Sequence, residues 1–270
     1  MNKIDRLYEY IKSCKKVAVA FSGGVDSSFL LKASCEALGR ENVLAVTVLS
    51  SVISEEERQD AAELAKSIAV QHEVLEFDVF SIPGFKENPV DRCYICKKQI
   101  FNAISNIAAA YRINTVVDGT NADDSGDYRP GMKALEELGI KSPLKLCGIG
   151  KREIREASRK LELFTWSRPS MACLASRIPY NEEITEAKLR MVEKAEAVLR
   201  SMGFSQHRVR CHGTIARIEL LPSEMGRILD EDKLSIINEG FKSIGFDYVT
   251  LDLKGYRTGS LNETILKKEV

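Results

Sequence analysis

Residues 91–98 read DRCYICKK and set the thiols of Cys93 and Cys96 three positions apart. Thiols at that spacing can close a disulfide, ligate zinc or ligate an iron–sulfur cluster, and each outcome serves a different function. The chain holds seven cysteines, at 14, 35, 93, 96, 147, 173 and 211. Its start, MNKIDRLYEYIKSCKK, has no apolar core of the signal-peptide kind, so a soluble, cytoplasmic protein is expected. An odd cysteine count in a reducing compartment argues against a disulfide framework and for thiols that bind metal or do chemistry. Cys173, in SMACLASRIPY, is the thiol that could join the pair. Closed structural zinc takes four ligands, and the other donors, His72, His207, Cys211 and His212, lack zinc-finger spacing. Three thiolates can instead hold a four-iron cubane with one iron left open for a hydrosulfide. Thiols acting without metal, in redox or sacrificial roles, complete the alternatives.

A second chemical stretch, AFSGGVDSS, lies between an apolar run, KKVAVAF, and a helical one, FLLKASCEAL. Backbone N–H groups at such a strand–helix junction can face an anion. Gly23 and Gly24 permit the tight turn and close phosphate approach, while Ser22, Ser27 and Ser28 add hydroxyl donors. The lysine of a Walker A loop is missing. Asp26 stands inside the loop instead, where its carboxylate would repel phosphate unless Mg²⁺ lay between them. A glycine turn that only caps a helix is the plain alternative. The stretch resembles the SGGxDS signature of the PP-loop, or N-type, ATP pyrophosphatases. That resemblance implies cleavage of ATP between the α and β phosphates, with AMP passed to an acceptor oxygen. DGTNADD, at 118–124, is similar to a G-T-N stretch of the same enzymes and would put Gly119 and Thr120 on the ligand edge, although an ordinary turn explains the same residues.

The elements that must position these groups alternate. Short apolar strands are expected at 15–21, 43–49, 72–78, 115–121 and, in LFTWS, at 163–167, with amphipathic helices between them. Ser54 and Glu57 form a capping box at the start of one of these helices. The pattern predicts an α/β fold with a parallel sheet covered on both faces and ligands at the carboxyl ends of its strands. From about residue 180 a long helix and three short strands replace the alternation. The expected division is a PP-loop ATP pyrophosphatase domain at 1–179 and a smaller α+β domain at 180–270, joined near RPSMACLASRIPY. The 270 residues, 44% hydrophobic, suffice for both. No run approaches the ~18 apolar residues of a membrane span. Lys+Arg and Asp+Glu both number 39, and a neutral balance argues against nucleic acid as the main partner.

With ACLASRIPY, RVRCHGTIARIEL and YVTLDLKGYRTGS, the motifs resemble the LarE family from about residue 16 to 262. LarE enzymes are ATP-dependent sulfurtransferases that build the nickel-pincer nucleotide of lactate racemase. The resemblance implies a small nucleotide substrate, pyridinium-3,5-biscarboxylic acid mononucleotide, whose carboxylates are adenylated and then thiolated. It implies ATP and Mg²⁺, the metal held by Asp26, with the pyrophosphate cradled by the loop. DRCYIC together with Cys173 is similar to the branch whose three cysteines hold a [4Fe-4S] cluster. Ser176 and Arg177, just past Cys173, resemble family positions near the substrate carboxylate, and Glu196 matches a family acidic position. Arg208 and Arg210 alternate along a strand and so share a face suited to a phosphate, an exposed strand face being the bland reading, as a solvated helix face is for Glu196. An assembly larger than a dimer is also implied, and the source of the sulfide is left open. Asn181, after IPY, stands where the pattern has glycine. Rival readings are a tRNA thiolase, an ammonia-using synthetase, and a non-catalytic ATP-binding protein with structural zinc.

Overall fold

The computed structural model describes residues 2–126, 130–169 and 172–266, so the 118–131 and 168–180 stretches each contain residues outside it. The chain divides into two compact units, Met1–Ile82 with Asp91–Met171, and Pro83–Val90 with Ala172–Val270. The sequence reading puts the division at 179/180.

In the first unit four strands, β1 (Val17–Ala20), β2 (Val43–Leu49), β3 (Gln71–Glu76) and β4 (Val116–Val117), form a parallel sheet in the order β3-β2-β1-β4. Seven helices accompany them: α1 (Lys3–Cys14), α2 (Val25–Leu38), α3 (Glu55–Ile68), α4 (Arg92–Ala110), α5 (Pro130–Glu137), α6 (Pro143–Leu146) and α7 (Lys151–Lys160). Val17 and Val19 of β1 pack into one core with Leu7, Phe29, Leu64 and Ile154. Ala18, one residue between them, packs on the other face with Leu44, Phe101 and Ile104. Alternate side chains of a doubly covered strand must both be apolar, which is why the run reads as continuously hydrophobic. The Ser54–Glu57 capping box is present at α3.

LFTWS is not the fifth strand that its aromatic and β-branched residues suggested. Phe164–Ser167 form a 3₁₀ turn that folds back on α7. Arg155 of that helix donates to the carbonyls of Trp166 at 2.5 Å and Arg168 at 2.6 Å, satisfying acceptors a neighbouring strand would otherwise take. Beyond β4 the sheet carries one isolated parallel bridge, Val117 to Lys141. β4 itself is two residues long, because the backbone leaves the sheet at Asp118.

The second unit holds α8 (Glu186–Ser201), β5 (His207–His212), β6 (Ile215–Leu220), α9 (Met225–Ile228), α10 (Glu231–Ile244), β7 (Tyr248–Leu251) and α11 (Glu263–Leu266). β5 and β6 make an antiparallel hairpin, and β7 joins β6 in parallel. The Pro83–Val90 segment belongs here because buried Asn88 donates to the carbonyls of Ile178 at 3.2 Å and Pro179 at 2.6 Å. Asn181 N donates in return to Asn88 O at 2.9 Å. Asn181 has φ +65°, a left-handed conformation that glycine adopts freely and asparagine tolerates better than other side chains.

Candidate functional site

The loop between β1 and α2 is pinned from both sides. Thr47 of β2 donates to Phe21 O at 2.8 Å, and Phe21 N donates to Val46 O at 2.9 Å. Gly23 has φ +78°, and a Cβ there would lie 2.8 Å from Ala61 N, so only glycine lets the loop rest on α3. Gly24 is the N-cap of α2 and offers no side-chain cap, which leaves the helix's first N–H groups to a ligand. Ser22 Oγ and Ser27 Oγ stand 3.1 Å apart, and Ser27 donates to Gly24 O at 3.1 Å. Ser28 is fully buried and donates to Gly23 O at 3.2 Å, so it braces the loop from beneath.

Gly119 makes a second close backbone approach. A Cβ at this position would lie 2.9 Å from Ser27 N and 3.2 Å from Ser27 Cα, so the chain leaving β4 lies directly on the first turn of α2. That contact delivers Asn121, whose Nδ2 is 3.4 Å from Asp26 Oδ2. Lys151, the first residue of α7, brings its ammonium 2.6 Å from the same oxygen. The other oxygen, Asp26 Oδ1, is buried and has no hydrogen-bond partner among the described residues. Burial pushes the Asp26 carboxyl above its ordinary value; the Lys151 ammonium pulls it down and the charge of Asp124 adds to the rise. A buried carboxylate oxygen without a hydrogen-bond partner among the described residues, beside a helix start that has no side-chain cap, fits a hard divalent cation.

In the second unit the charged groups are almost wholly satisfied. Arg177 and Glu196 are buried and share a two-pronged pair, Nε to Oε1 at 2.8 Å and Nη2 to Oε2 at 3.0 Å. Burial alone would raise the Glu196 carboxyl, but Arg177, Arg208 and the Val209 N–H together outweigh it and hold the group at about 2. Arg177 Nη1 also donates to Ala172 O at 2.5 Å, Cys173 O at 3.2 Å and Ser176 Oγ at 3.0 Å, which fixes the backbone that carries Cys173. Arg210 pairs with fully buried Glu219 at 3.0 and 2.9 Å and donates to Ser176 O at 2.7 Å. Arg208 lies over the Tyr256 ring, its centre 5.4 Å away, and is pulled down to about 10 by burial and by the charge of Arg177. The bland alternatives, an exposed strand face for Arg208 and Arg210 and a solvated helix face for Glu196, do not hold, since all three side chains are buried.

All seven cysteines lie outside disulfides. Cys93 and Cys96 are the second and fifth residues of α4 and share one of its faces near the N-terminus. Cys173 is exposed and belongs to the second unit. Among the described residues no group of three or more His, Cys, Asp or Glu side chains is placed to hold a metal ion.

The NAD synthase family model matches residues 2–120, the part of the chain that carries the glycine loop and Gly119. An NH3-dependent NAD(+) synthetase of Methanoregula boonei is 31% identical over 97 residues, 33% of this chain and 39% of its own. Other relatives match along nearly the whole length. An uncharacterised protein of Synechocystis is 40% identical over 98% of this chain and 99% of its own. The pyridinium-3,5-bisthiocarboxylic acid mononucleotide synthase of Lactiplantibacillus plantarum is 37% identical over 96% of this chain and 94% of its own. The chain belongs to the LarE family.

It is therefore an enzyme of the ATP-using PP-loop class, and its likeness to NAD synthetases stops where the PP-loop sheet ends. No helix among the described residues is long and apolar enough to cross a membrane. Three groups, two in the first unit and one in the second, escaped the sequence reading. Lys151 lies 125 positions from Asp26, and its one local sign is a cation opening a helix after GIG. Asp123 accepts from Lys151 N at 2.7 Å and so seats α7. Glu219 gathers Arg210, Arg217 and Ser260, although nothing in IARIEL marks it as buried.

Proposed function

We propose that this protein adenylates the carboxylates of pyridinium-3,5-biscarboxylic acid mononucleotide and converts them to thiocarboxylates. The full-length likeness to the Lactiplantibacillus synthase carries this reading, since the NAD synthetase likeness covers only the first part of the chain. A substrate carboxylate oxygen bonds to the α-phosphorus of ATP and the bond to the β-phosphate oxygen breaks, releasing pyrophosphate. A hydrosulfide then adds to the acyl carbon, and the carbon–oxygen bond to AMP breaks.

Each region has a part in this. The N–H groups at Gly24 and the start of α2, with Ser22 and Ser27, cradle the departing pyrophosphate. Asp26 would hold Mg²⁺ there through its unpaired oxygen. Cys93, Cys96 and Cys173 would hold a [4Fe-4S] cluster, whose open iron supplies hydrosulfide when bound. The donor set suits that group: three thiols outside disulfides, two of them on one face of α4 near its N-terminus. Arg208 and Arg210 favour an anionic substrate by their charge, and Arg177 with Glu196 holds Ser176 and the Cys173 backbone in place.

The test uses protein purified without oxygen and given ATP, MgCl₂ and the biscarboxylate nucleotide. Release of pyrophosphate and AMP with a thiocarboxylate product supports the reading, and no pyrophosphate release from wild type overturns it. Asp26→Ala is expected to stop pyrophosphate release. Cys93→Ala, Cys96→Ala and Cys173→Ala should each keep pyrophosphate release while losing bound iron and the thiocarboxylate. Normal thiolation by all three would remove the cluster from the scheme.

A further inference from the structure

Lys151 is badly placed for its own helix. It is the first residue of α7, followed by Arg152, at the end where the helix dipole favours anions. The capping is done by others: Glu153 accepts from Gly150 N at 2.9 Å, and Asp123 accepts from Lys151 N at 2.7 Å. At Gly150 a Cβ would lie 2.8 Å from Asp123 Oδ1, so this turn is seated tightly against the loop after β4. The backbone of Lys151 is thus held, while its side chain, 31% exposed, reaches Asp26 Oδ2 at 2.6 Å. Helix stability does not explain a cation here, which leaves its partner as the reason.

Asp26 carries the residue's one buried oxygen without a hydrogen-bond partner and feels the like charge of Asp124. This anionic pocket would attract a divalent cation even with no nucleotide present. The ammonium is a compact positive charge on a flexible stem, so it can neutralise the pocket and still leave when stronger anions arrive. We propose that Lys151 stands in for the divalent cation on Asp26 in the nucleotide-free enzyme, so that metal enters only with the phosphates that draw the ammonium away. The inference rests on reading this loop as an ATP and Mg²⁺ site, and it concerns the order of loading rather than the acceptor chemistry.

Mn²⁺ binding to nucleotide-free protein, followed by electron paramagnetic resonance of the free ion, tests it without any acceptor substrate. Wild type is expected to bind Mn²⁺ weakly. Lys151→Gln should bind about tenfold more tightly, because the competing cation is gone. Lys151→Arg should stay with wild type, and adding Asp26→Asn to Lys151→Gln should abolish the gain. A non-hydrolysable ATP analogue should raise Mn²⁺ binding in wild type. The proposal falls if Lys151→Gln shows no gain or if the gain survives loss of Asp26. It also falls if nucleotide-free wild type already binds one Mn²⁺ tightly through Asp26, a result that needs no Lys151 variant to fold. Failure of thiocarboxylate formation with these Mn²⁺ results intact would sink the proposed function and leave this inference standing.

Discussion

The first unit and the second both concentrate charge, but they treat it in opposite ways. Around Asp26 the charge is incompletely matched: one oxygen has Lys151 and a long contact from Asn121, and the other has no partner among the described residues. In the second unit Arg177–Glu196 and Arg210–Glu219 are two-pronged, buried pairs with further donors and acceptors filled by backbone and serine. A buried pair contributes little net stability once formed, yet it strongly disfavours the loss of either partner. Incomplete matching is how a protein keeps a place for a ligand, while complete matching fixes a shape. The arginines therefore build the second unit before they can serve any substrate.

The largest expected effect follows from breaking one matched pair. Glu196→Ala leaves Arg177 buried without its carboxylate and takes the acceptor from Val209 N at 3.1 Å. A loss of about 3–5 kcal/mol is expected, read by chemical denaturation. Asp26→Asn removes a carboxylate too, but it should leave stability within about 1 kcal/mol of wild type, because burial already disfavours that charge. Equal losses for the two would erase the distinction between the regions.

Acid titration sharpens the same contrast through its sign. The Glu196 carboxyl lies at about 2 against an ordinary 4.5, a depressed value. Its contribution is fully present above 4.5 and disappears as pH falls from there towards 2. The Asp26 carboxyl is raised above its ordinary 3.8. Its charged form therefore costs stability above its folded value, and that cost vanishes as pH falls towards 3.8. Denaturation midpoints of wild type and Glu196→Gln, measured between pH 6 and about 2, should converge at the acid end. Parallel curves would show that Glu196 is not held in its charged form.

The parts that were legible in the sequence are those whose cause is local. The β1–α2 junction is written in nine consecutive residues, with a strand's apolar run, two glycines and a helix start. Alternation placed Arg208 and Arg210 on one face but carried no sign of what covers it; a Glu219 from the neighbouring strand decides that. LFTWS failed because strand composition over five residues says nothing about whether an edge is open to receive them. Pro83–Val90 joins the second unit through Asn88, a contact between residues some 90 positions apart. Lys151 was hidden for the same reason, since its partner lies on another helix.

A smaller effect should come from a position with no charge. Gly119 is the point where the chain leaving β4 lies on the first turn of α2. Its Cβ in Gly119→Ala would meet Ser27 N at 2.9 Å and Ser27 Cα at 3.2 Å, both backbone atoms that cannot rotate away. The two segments must separate by several tenths of an ångström, costing about 1–3 kcal/mol. That separation would carry Asn121 away from Asp26, starting from a contact already as long as 3.4 Å. Weaker ATP binding should therefore accompany the lost stability, measured by titration calorimetry with the non-hydrolysable analogue. Glu196→Ala should show the reverse balance, with stability falling further and ATP binding by the folded protein kept. If Gly119→Ala lost stability with ATP binding untouched, the approach of β4 to the glycine loop would be packing alone, and Asn121 would have no part in holding the nucleotide site.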